Sequence, residues 1–241
     1  MNMLKSNTIL FLLFIVIWSG CSRIIYREDR IPAIDPGFEQ EIKYTYNKLH
    51  FDDTLRFEIF RKAMIGYHYI DFDNKNILTI IDFSQPSTNK RCYVIDLAEK
   101  EVLFNTLIAH GRNSGENYAT EFSNIRGSKQ SSLGFYKTSD TYMGSNGYSL
   151  LLDGLEKNIN HLAREREIVI HGADYVSQEF IDENGRLGRS WGCPAFPREV
   201  NTEVIDLIKE GSCIYIYADD QDYLSSTLYI PTNNNGEKDL Q

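Results

Sequence analysis

The hydrophobic period of the chain changes near Asp73-Asn74, and this change constrains the fold more than any other feature. Before it, residues 38–50 and 54–69 carry apolar side chains every three or four positions, which predicts two amphipathic helices. After it, short β-branched and aromatic runs separated by turn residues predict a series of strands. They are expected at 76–83, 91–97, 101–111, 132–143, 147–154, 168–172 and 213–219. Helical periods return at 155–167 and 199–211, and the order predicts an α+β protein with a mixed, largely β, barrel-like sheet.

The first 20 residues differ from the rest of the chain. An apolar run of ten residues, 9–18, is too short to cross a bilayer as a helix but has the length of the apolar part of a signal peptide. Ser19-Gly20-Cys21 then resembles a bacterial lipobox, although Trp18 stands where a leucine-like residue is usual. We therefore expect residues 1–20 to be a signal peptide, Cys21 to be lipidated, and the protein to be an exported lipoprotein of the periplasm or cell envelope. Ordinary cleavage that leaves Cys21 as a free thiol is the alternative.

Four cysteines in an exported protein raise the question of disulfides. Cys92 and Cys213 each begin an apolar stretch typical of a strand, so we expect buried thiols, with a Cys92–Cys213 disulfide as the alternative. Neither arrangement involves Cys193, which stays available for chemistry. The formal net charge of -9 argues against nucleic acid as a partner.

The segment IVIHGADYVSQEFIDENGRLGRSWGCPAFP, residues 168–197, places His171 at the end of an apolar run and Cys193 in a glycine-proline turn. A cysteine nucleophile needs a base that takes its proton and donors that stabilise the oxyanion. Gly192 permits backbone conformations closed to other residues, and Pro194 has no N–H to donate. Backbone oxyanion donors must therefore come from Trp191, Gly192 or Cys193.

His171 itself has two readings, because a histidine at a strand end is often only a capped core residue. A catalytic zinc site formed by His110, His171 and Cys193 is a further alternative. The chain has no CxxC or HxxxH pair, so a structural zinc site is not predicted.

Six motifs in a fixed order carry a family resemblance over about residues 75–218. They are AHGRNSG (109–115), FSN (122–124), GSKQSSLGFYKT (127–138), GYSLLLDGLE (147–156), IVIHGADYVS (168–177) and GRLGRSWGCPAFP (185–197). Together they resemble the L,D-transpeptidase (YkuD-type) superfamily, and most closely its branch called the murein L,D-transpeptidase catalytic domain family.

The resemblance implies that Cys193 is the acylated nucleophile, His171 the general base, and the Trp191–Gly192–Cys193 backbone the oxyanion hole. The implied reaction attacks the L-centred carbonyl of the third residue of a peptidoglycan tetrapeptide stem and releases the terminal D-Ala. An amine from a neighbouring stem or protein then resolves the acyl-enzyme, giving a 3→3 crosslink or protein attachment. The resemblance also implies no metal or organic cofactor, and acylation of the cysteine by carbapenems.

One departure concerns Trp191, which stands where the broad family has histidine. An indole only donates, so either His171 alone is the base, or a second histidine is not essential and mainly helps to shape the turn. We favour the second alternative, because the backbone donors of the turn survive the change. Residues expected to bind substrate or support the site are His110, Ser132, Gly134, Gly172, Arg186, Arg189 and Ser190. Among these, Arg186 or Arg189 could hold a substrate carboxylate or form ordinary salt bridges, and His110 could be a buried, hydrogen-bonded histidine.

The expected domain order is a signal peptide (1–20), a tether (21–37), a helical segment packed on the catalytic domain (38–70), an L,D-transpeptidase-like catalytic domain (71–220) and a polar tail (221–241). The expected function is that of a peptidoglycan L,D-transpeptidase whose partners are stem peptides and, through Cys21, the membrane. The alternatives are an L,D-carboxypeptidase or hydrolase with the same site, and a non-catalytic wall-binding lipoprotein.

Overall fold

The computed structural model describes residues 26–51 and 53–231, so the predicted signal peptide, the lipidation site at Cys21 and the end of the polar tail lie outside the described residues. The predicted N-terminal helices are α1 (Pro36–Leu49) and α2 (Phe57–Tyr69). The Asp35 side chain accepts hydrogen bonds from the first backbone N–H groups of α1, and Pro36 fits its first turn. α2 buries an apolar stripe that includes Ile59, Phe60 and Ala63 against the sheet.

A single sheet of eight strands follows the helices in the described part of the chain. Its strands are β1 (Ile77–Asp82), β2 (Cys92–Asp96), β3 (Glu101–Thr106), β4 (Gly134–Gly144), β5 (Gly147–Gly154), β6 (Val169–Ala173), β7 (Ala195–Pro197) and β8 (Cys213–Tyr217). Their order is β3-β2-β1-β8-β4-β5-β6-β7, with parallel pairing only for β1/β8 and β6/β7.

The two edges of this sheet are joined. Just after β3, Ala109 pairs with Ala195 of β7, through an N–H to carbonyl bond of 2.9 Å and a longer return bond of 3.4 Å. The sheet is therefore nearly closed, which confirms the predicted mixed α+β, barrel-like fold. The closure also brings the chain after β3 against the segment that carries Cys193.

The predicted helix at 155–167 is wrong, because this segment forms consecutive turns. The Asn160 side chain accepts from the backbone N–H of Glu156 and donates to the carbonyls of Leu133 and Phe135. Such side-chain bonds compete with helical ones, and the left-handed residues Asn158 and Glu167 interrupt any helix.

Three more helices are α3 (Gln178–Asn184), α4 (Arg198–Ile208) and α5 (Gln221–Ser226). The sequence predicted only α4 among them. α3 lies between the His171 strand and the Cys193 turn, where no helix was predicted, and its signals in the sequence are Ser177 as N-cap and Gly185 as C-cap. α5 lies inside the predicted polar tail. No described helix combines the length and apolar character needed to cross a membrane.

Cys92 and Cys213 are buried free thiols, which confirms the preferred expectation. They flank β1 on opposite sides, Cys92 level with Ile81 and Cys213 level with Leu78. Two strand spacings and three residues along the strand separate them by more than about 10 Å, too far for a disulfide.

The end of the predicted tether packs on the C-terminal segment. Ile31 is buried, and its N–H donates to the carbonyl of Leu228 at 2.9 Å. Arg30 donates to the carbonyl of Ile230 at 2.7 Å. The domain boundaries themselves stay a prediction.

Candidate active site

The turn that carries Cys193 is held together by Ser190. The Ser190 hydroxyl donates to the carbonyl of Cys193 at 2.6 Å and accepts from the N–H of Gly192 at 3.0 Å. The Ser190 backbone donates to the carbonyl of His110 and accepts from Arg112. Ser190 therefore shapes the turn from within and ties it to the strand-like segment after β3.

Gly192 adopts a φ of +124°, a conformation that favours glycine. A Cβ at this position would lie 2.8 Å from the carbonyl oxygen of Gln130. The Gly192 carbonyl accepts from the Ser131 hydroxyl, which in turn accepts from the N–H of Gly111, both at 3.0 Å. Sequence reasoning missed Ser131, because only the closure of the sheet brings residues 128–132 beside the turn.

The Cys193 side chain is half-buried and lies against Val169, the first residue of β6. Its sulfur accepts from the N–H of Val169 at 3.5 Å and lies 3.6 Å from the carbonyl oxygen of Glu167, to which the thiol donates. Burial raises the pKa of the Cys193 thiol above its usual value of 9.0, while the Val169 N–H and the charge of Arg166 act to lower it. The resting form near neutral pH is therefore the thiol.

His171 is a buried residue of β6, paired with Ser149 of β5 and Ala195 of β7. Its Nδ1 lies 3.2 Å from the carbonyl oxygen of Gly172. Because a carbonyl only accepts, this contact favours the tautomer with the proton on Nδ1 and leaves Nε2 as an acceptor. Burial lowers the pKa of His171 below its usual 6.5, with Arg198 adding to the effect and the Gly172 carbonyl opposing it. The imidazole is therefore neutral and can accept a proton.

The pairing of β6 with β7 brings His171 close to the Cys193 turn, which directly precedes β7, although 22 residues separate the two residues in sequence. Cys193 stands two residues before Ala195, the register partner of His171. A strand spacing of about 4.8 Å and two residues of about 3.3 Å each put the two backbones about 8 Å apart, a gap that an imidazole side chain can span. No hydrogen bond joins the two side chains within residues 26–51 and 53–231, so a neutral thiol and a neutral imidazole face the site.

The three predicted oxyanion donors differ in their hydrogen bonds. The Gly192 N–H is already bound to Ser190. The N–H groups of Trp191 and Cys193 have no hydrogen-bond partner among the described residues. The Trp191 side chain is 72 % exposed and has Lys129 Nζ 4.6 Å from its ring centroid.

His110 is fully buried and satisfied on both ring nitrogens. Arg91 Nη2 lies 2.7 Å from its Nδ1, and its Nε2 lies 3.4 Å from the carbonyl oxygen of Gly115. Burial first, and then the charge of Arg91, lower the pKa of His110 to about 3. His110 thus scaffolds the segment 109–115 and has no ring nitrogen left for a substrate or a metal.

Ser132 and Gly134 do not line an open cleft. Ser132 is buried, with its hydroxyl bound to Tyr136 and Arg166. Gly134 has a φ of +100°, and a Cβ there would lie 2.2 Å from Glu156 Oε1 in the core. The expectation that these two residues contact substrate has no support in their positions, while a backbone requirement at Gly134 is evident.

Arg186 and Arg189 both bind the same carboxylate, that of Glu116, at 2.9 and 2.8 Å. Arg189 also donates to the carbonyls of Arg112 and Gly115. Their cations are therefore engaged in salt bridges, the alternative that the sequence left open. Gly172 packs closely on Asn201 of α4, behind His171.

No group of three His, Cys, Asp or Glu side chains suited to a metal occurs in the described part of the chain. An open cleft of about 880 Å³ lies elsewhere on the molecule, between residues 69–73, 137–141 and 209–211. None of the predicted site residues lines it, and its wall mixes charged and apolar side chains. The chemistry-bearing residues are instead those of the β6/β7 edge and the Cys193 turn.

A family model described as the L,D-transpeptidase catalytic domain matches residues 52–217, more than half of the chain. The chain belongs to this L,D-transpeptidase family. The match includes His171, the Cys193 turn and all eight strands. It confirms the family that the ordered motifs indicated.

Solved structures that resemble the chain include an L,D-transpeptidase from Mycobacterium smegmatis, with 12% identity over 59% of this chain and 59% of that one, at a TM-score of 0.37. Another is L,D-transpeptidase 1 from Mycobacterium tuberculosis, with 14% identity over 59% and 62% of the two chains, at a TM-score of 0.32. A third is the helical cell shape determining protein Pgp2 from Campylobacter jejuni, with 15% identity over 70% and 60%, at a TM-score of 0.41. The chain spans about three fifths of the length of each. A comparison with curated protein sequences finds no significant match.

Proposed function

We propose that the protein is a peptidoglycan L,D-transpeptidase that works through an acyl-enzyme on Cys193. The observation that carries the proposal is the pairing of β6 with β7. It sets the Cys193 turn beside His171, whose Nδ1 contact with Gly172 leaves Nε2 as the acceptor. Acyl transfer needs a base for the thiol proton and donors for the oxyanion. The buried, neutral His171 can act as that base, and the backbone N–H groups of Trp191 and Cys193, unpaired among the described residues, can act as those donors.

In the proposed acylation step, the Cys193 sulfur attacks the carbonyl carbon of the third stem residue while Nε2 of His171 takes the thiol proton. The N–H groups of Trp191 and Cys193 stabilise the oxyanion. The protonated His171 then donates its proton to the nitrogen of the terminal D-Ala, which leaves as the free amino acid. A thioester between the stem and Cys193 remains.

In the second step, an amine attacks the thioester and gives up its proton to His171, and the Cys193 sulfur leaves as the thiolate that regains this proton. An amine from a neighbouring stem or from a protein gives an amide crosslink, whereas water gives a tripeptide stem. The same residues serve both outcomes, so the acceptor decides between transpeptidase and carboxypeptidase.

The proposed setting is the cell envelope, where peptidoglycan lies. Export by a signal peptide over residues 1–20 and a lipid anchor on Cys21 remain predictions from the sequence. Mass spectrometry of the membrane-extracted protein tests them, because an N-terminal peptide that begins with a diacylated or triacylated Cys21 is expected. An unmodified peptide that begins at or after Cys21 would contradict the lipid anchor.

The test of the function is incubation of the chain from residue 22 onward with a disaccharide-tetrapeptide, followed by mass spectrometry of the products. A crosslinked dimer supports transpeptidation, a tripeptide without dimer supports the hydrolase, and unchanged substrate supports a binding protein. Intact mass after meropenem tests the nucleophile separately. Wild type should gain one adduct and Cys193→Ala none, while Cys92→Ala should gain the same adduct as wild type because Cys92 is buried with a raised pKa.

A further inference from the structure

Arg166 is a half-buried arginine three residues before β6, and no pattern in the sequence singles it out. Its Nη1 donates to the carbonyl of Ser123 at 2.5 Å and to the Ser132 hydroxyl at 3.1 Å. Its Nη2 donates to the carbonyl of Gln130 at 2.5 Å and to the Ser128 hydroxyl at 3.3 Å. Every partner is neutral, so none of these four bonds brings a negative charge to the guanidinium.

Four other arginines near the site have carboxylate partners. Arg164 binds Asp153, Arg198 binds Asp174, and Arg186 and Arg189 share Glu116. Arg166 has no carboxylate within salt-bridge distance among residues 26–51 and 53–231. A half-buried cation without a counterion is costly, because burial removes the water that would otherwise stabilise it.

The charge of Arg166 lies beside the Cys193 turn. Its Nη2 would be 3.5 Å from a Cβ on Gly192, the residue next to Cys193. The Gln130 carbonyl that Nη2 binds is also in contact with Gly192. Arg166 and the Cys193 sulfur attract each other, which lowers the pKa of the thiol and raises that of the guanidinium against the effect of burial.

We propose that Arg166 is a positioning residue whose uncompensated charge is the counterion of the Cys193 thiolate, formed each time the thiol loses its proton. The inference rests on the proposed function in taking Cys193 as the nucleophile. The missing counterion of Arg166 then has an explanation, since the negative charge appears only during the reaction. The four hydrogen bonds of its fork hold the guanidinium at a fixed place next to Gly192.

The test measures the rate at which iodoacetamide alkylates Cys193 as a function of pH, which reports the thiol pKa and needs no peptidoglycan. It uses the chain from residue 22 onward, with the site of alkylation read by peptide mapping. In Arg166→Met the thiol pKa should rise by about one unit. Arg166→Lys keeps the charge and should leave the thiol pKa within about 0.3 units of wild type. Arg164→Met, two residues away and exposed, should match wild type.

An unchanged thiol pKa in Arg166→Met would overturn the proposal, and so would an equal rise in Arg166→Met and Arg166→Lys, since the fork rather than the charge would then matter. Arg166→Gln serves as the second neutral variant if Arg166→Met does not fold. The two proposals can fail separately. If the wild type makes no crosslinked product while the thiol pKa still rises in Arg166→Met, the transpeptidase function is refuted and the counterion role of Arg166 is supported.

Discussion

The backbone N–H of Val169 donates to the sulfur of Cys193, with 3.5 Å between the two atoms. A backbone donor at this place favours the thiolate over the thiol and ties the sulfur to β6. His171 is two residues further along the same strand. β6 therefore carries the candidate base and also binds the sulfur of the candidate nucleophile.

Replacing His171 with Gln should slow acylation by meropenem about 10²–10⁴-fold, because an amide cannot take the thiol proton. Since burial lowers the pKa of His171 below 6.5, the imidazole remains a neutral base in mildly acidic solution. The wild-type acylation rate should therefore fall only below pH 6.5. Intact-mass kinetics between pH 4.5 and 9 measure both effects.

His68→Gln is the matched control, because His68 is exposed on α2 and should leave the rate unchanged. An acid limb centred above pH 6.5, or equal rates in wild type and His171→Gln, would contradict a general-base role for His171.

Replacing Ser190 with Ala should slow acylation about tenfold to 100-fold, because the turn loses the bonds to the Cys193 carbonyl and the Gly192 N–H. Denaturant unfolding should show a loss of about 1–3 kcal/mol from the unsatisfied groups. Ser177→Ala removes the N-cap of α3 and should cost about 1 kcal/mol without slowing acylation. Equal acylation rates in the two variants would refute a specific role for Ser190.

Replacing Trp191 with His should change the acylation rate by less than about threefold, because the backbone N–H is retained. Trp191→Pro removes that N–H and should slow acylation about 10²–10³-fold. Thermal unfolding of both variants checks that the turn persists. A loss in Trp191→His as large as in Trp191→Pro would mean that the indole, and not the backbone donor, acts in the reaction.

Replacing Glu156 with Gln should stabilise the protein at pH 8 but not at pH 5. The buried Glu156 carboxyl accepts from the Phe135 N–H and from the hydroxyls of Tyr223 and Thr227. Burial raises its pKa to about 7, above the value of 4.5 for an unfolded chain. Its contribution to stability is therefore complete below about pH 4.5 and is lost as the pH rises through about 7, by up to about 3 kcal/mol.

Thermal unfolding between pH 4.5 and 8.5 measures this difference. Glu179→Gln is the control, because Glu179 is exposed in α3 and should follow the wild-type pH profile. Parallel pH profiles for wild type and Glu156→Gln would show that the carboxyl is not buried in the folded protein.

The accuracy of the sequence predictions follows the range of the interactions. Strands such as β1 and β8 and the helices α1, α2 and α4 carry their own hydrophobic periods, so local pattern located them. Segment 155–167 has apolar residues at helical spacing as well. In that segment the hydrogen bonds from Asn160 to the carbonyls of residues 133 and 135 replace helical hydrogen bonds, and the local sequence does not predict them.

The same distinction between local and long-range interactions applies to the residues of the site. His171 and the SWGCP turn could be found because each stands out within a few residues of chain. Ser131 and Arg166 could not, since their importance comes from contacts with Gly192 across 61 and 26 residues. The roles of Arg186 and Arg189 were left open because Glu116, their shared partner, lies about 70 residues earlier in the chain and only the fold brings it to them.

The sequence by itself determined the residue types at the site, the order of the motifs, and the strand and helix periods, because these are properties of neighbouring residues. Within the described part of the chain, tertiary structure alone decided that the N–H groups of Trp191 and Cys193 remain unpaired, which tautomer His171 favours, and that the half-buried Arg166 has no carboxylate partner beside the Cys193 turn. Each of these depends on the hydrogen-bond and charge partners that meet when distant segments pack, and burial then sets the strength of the resulting interactions.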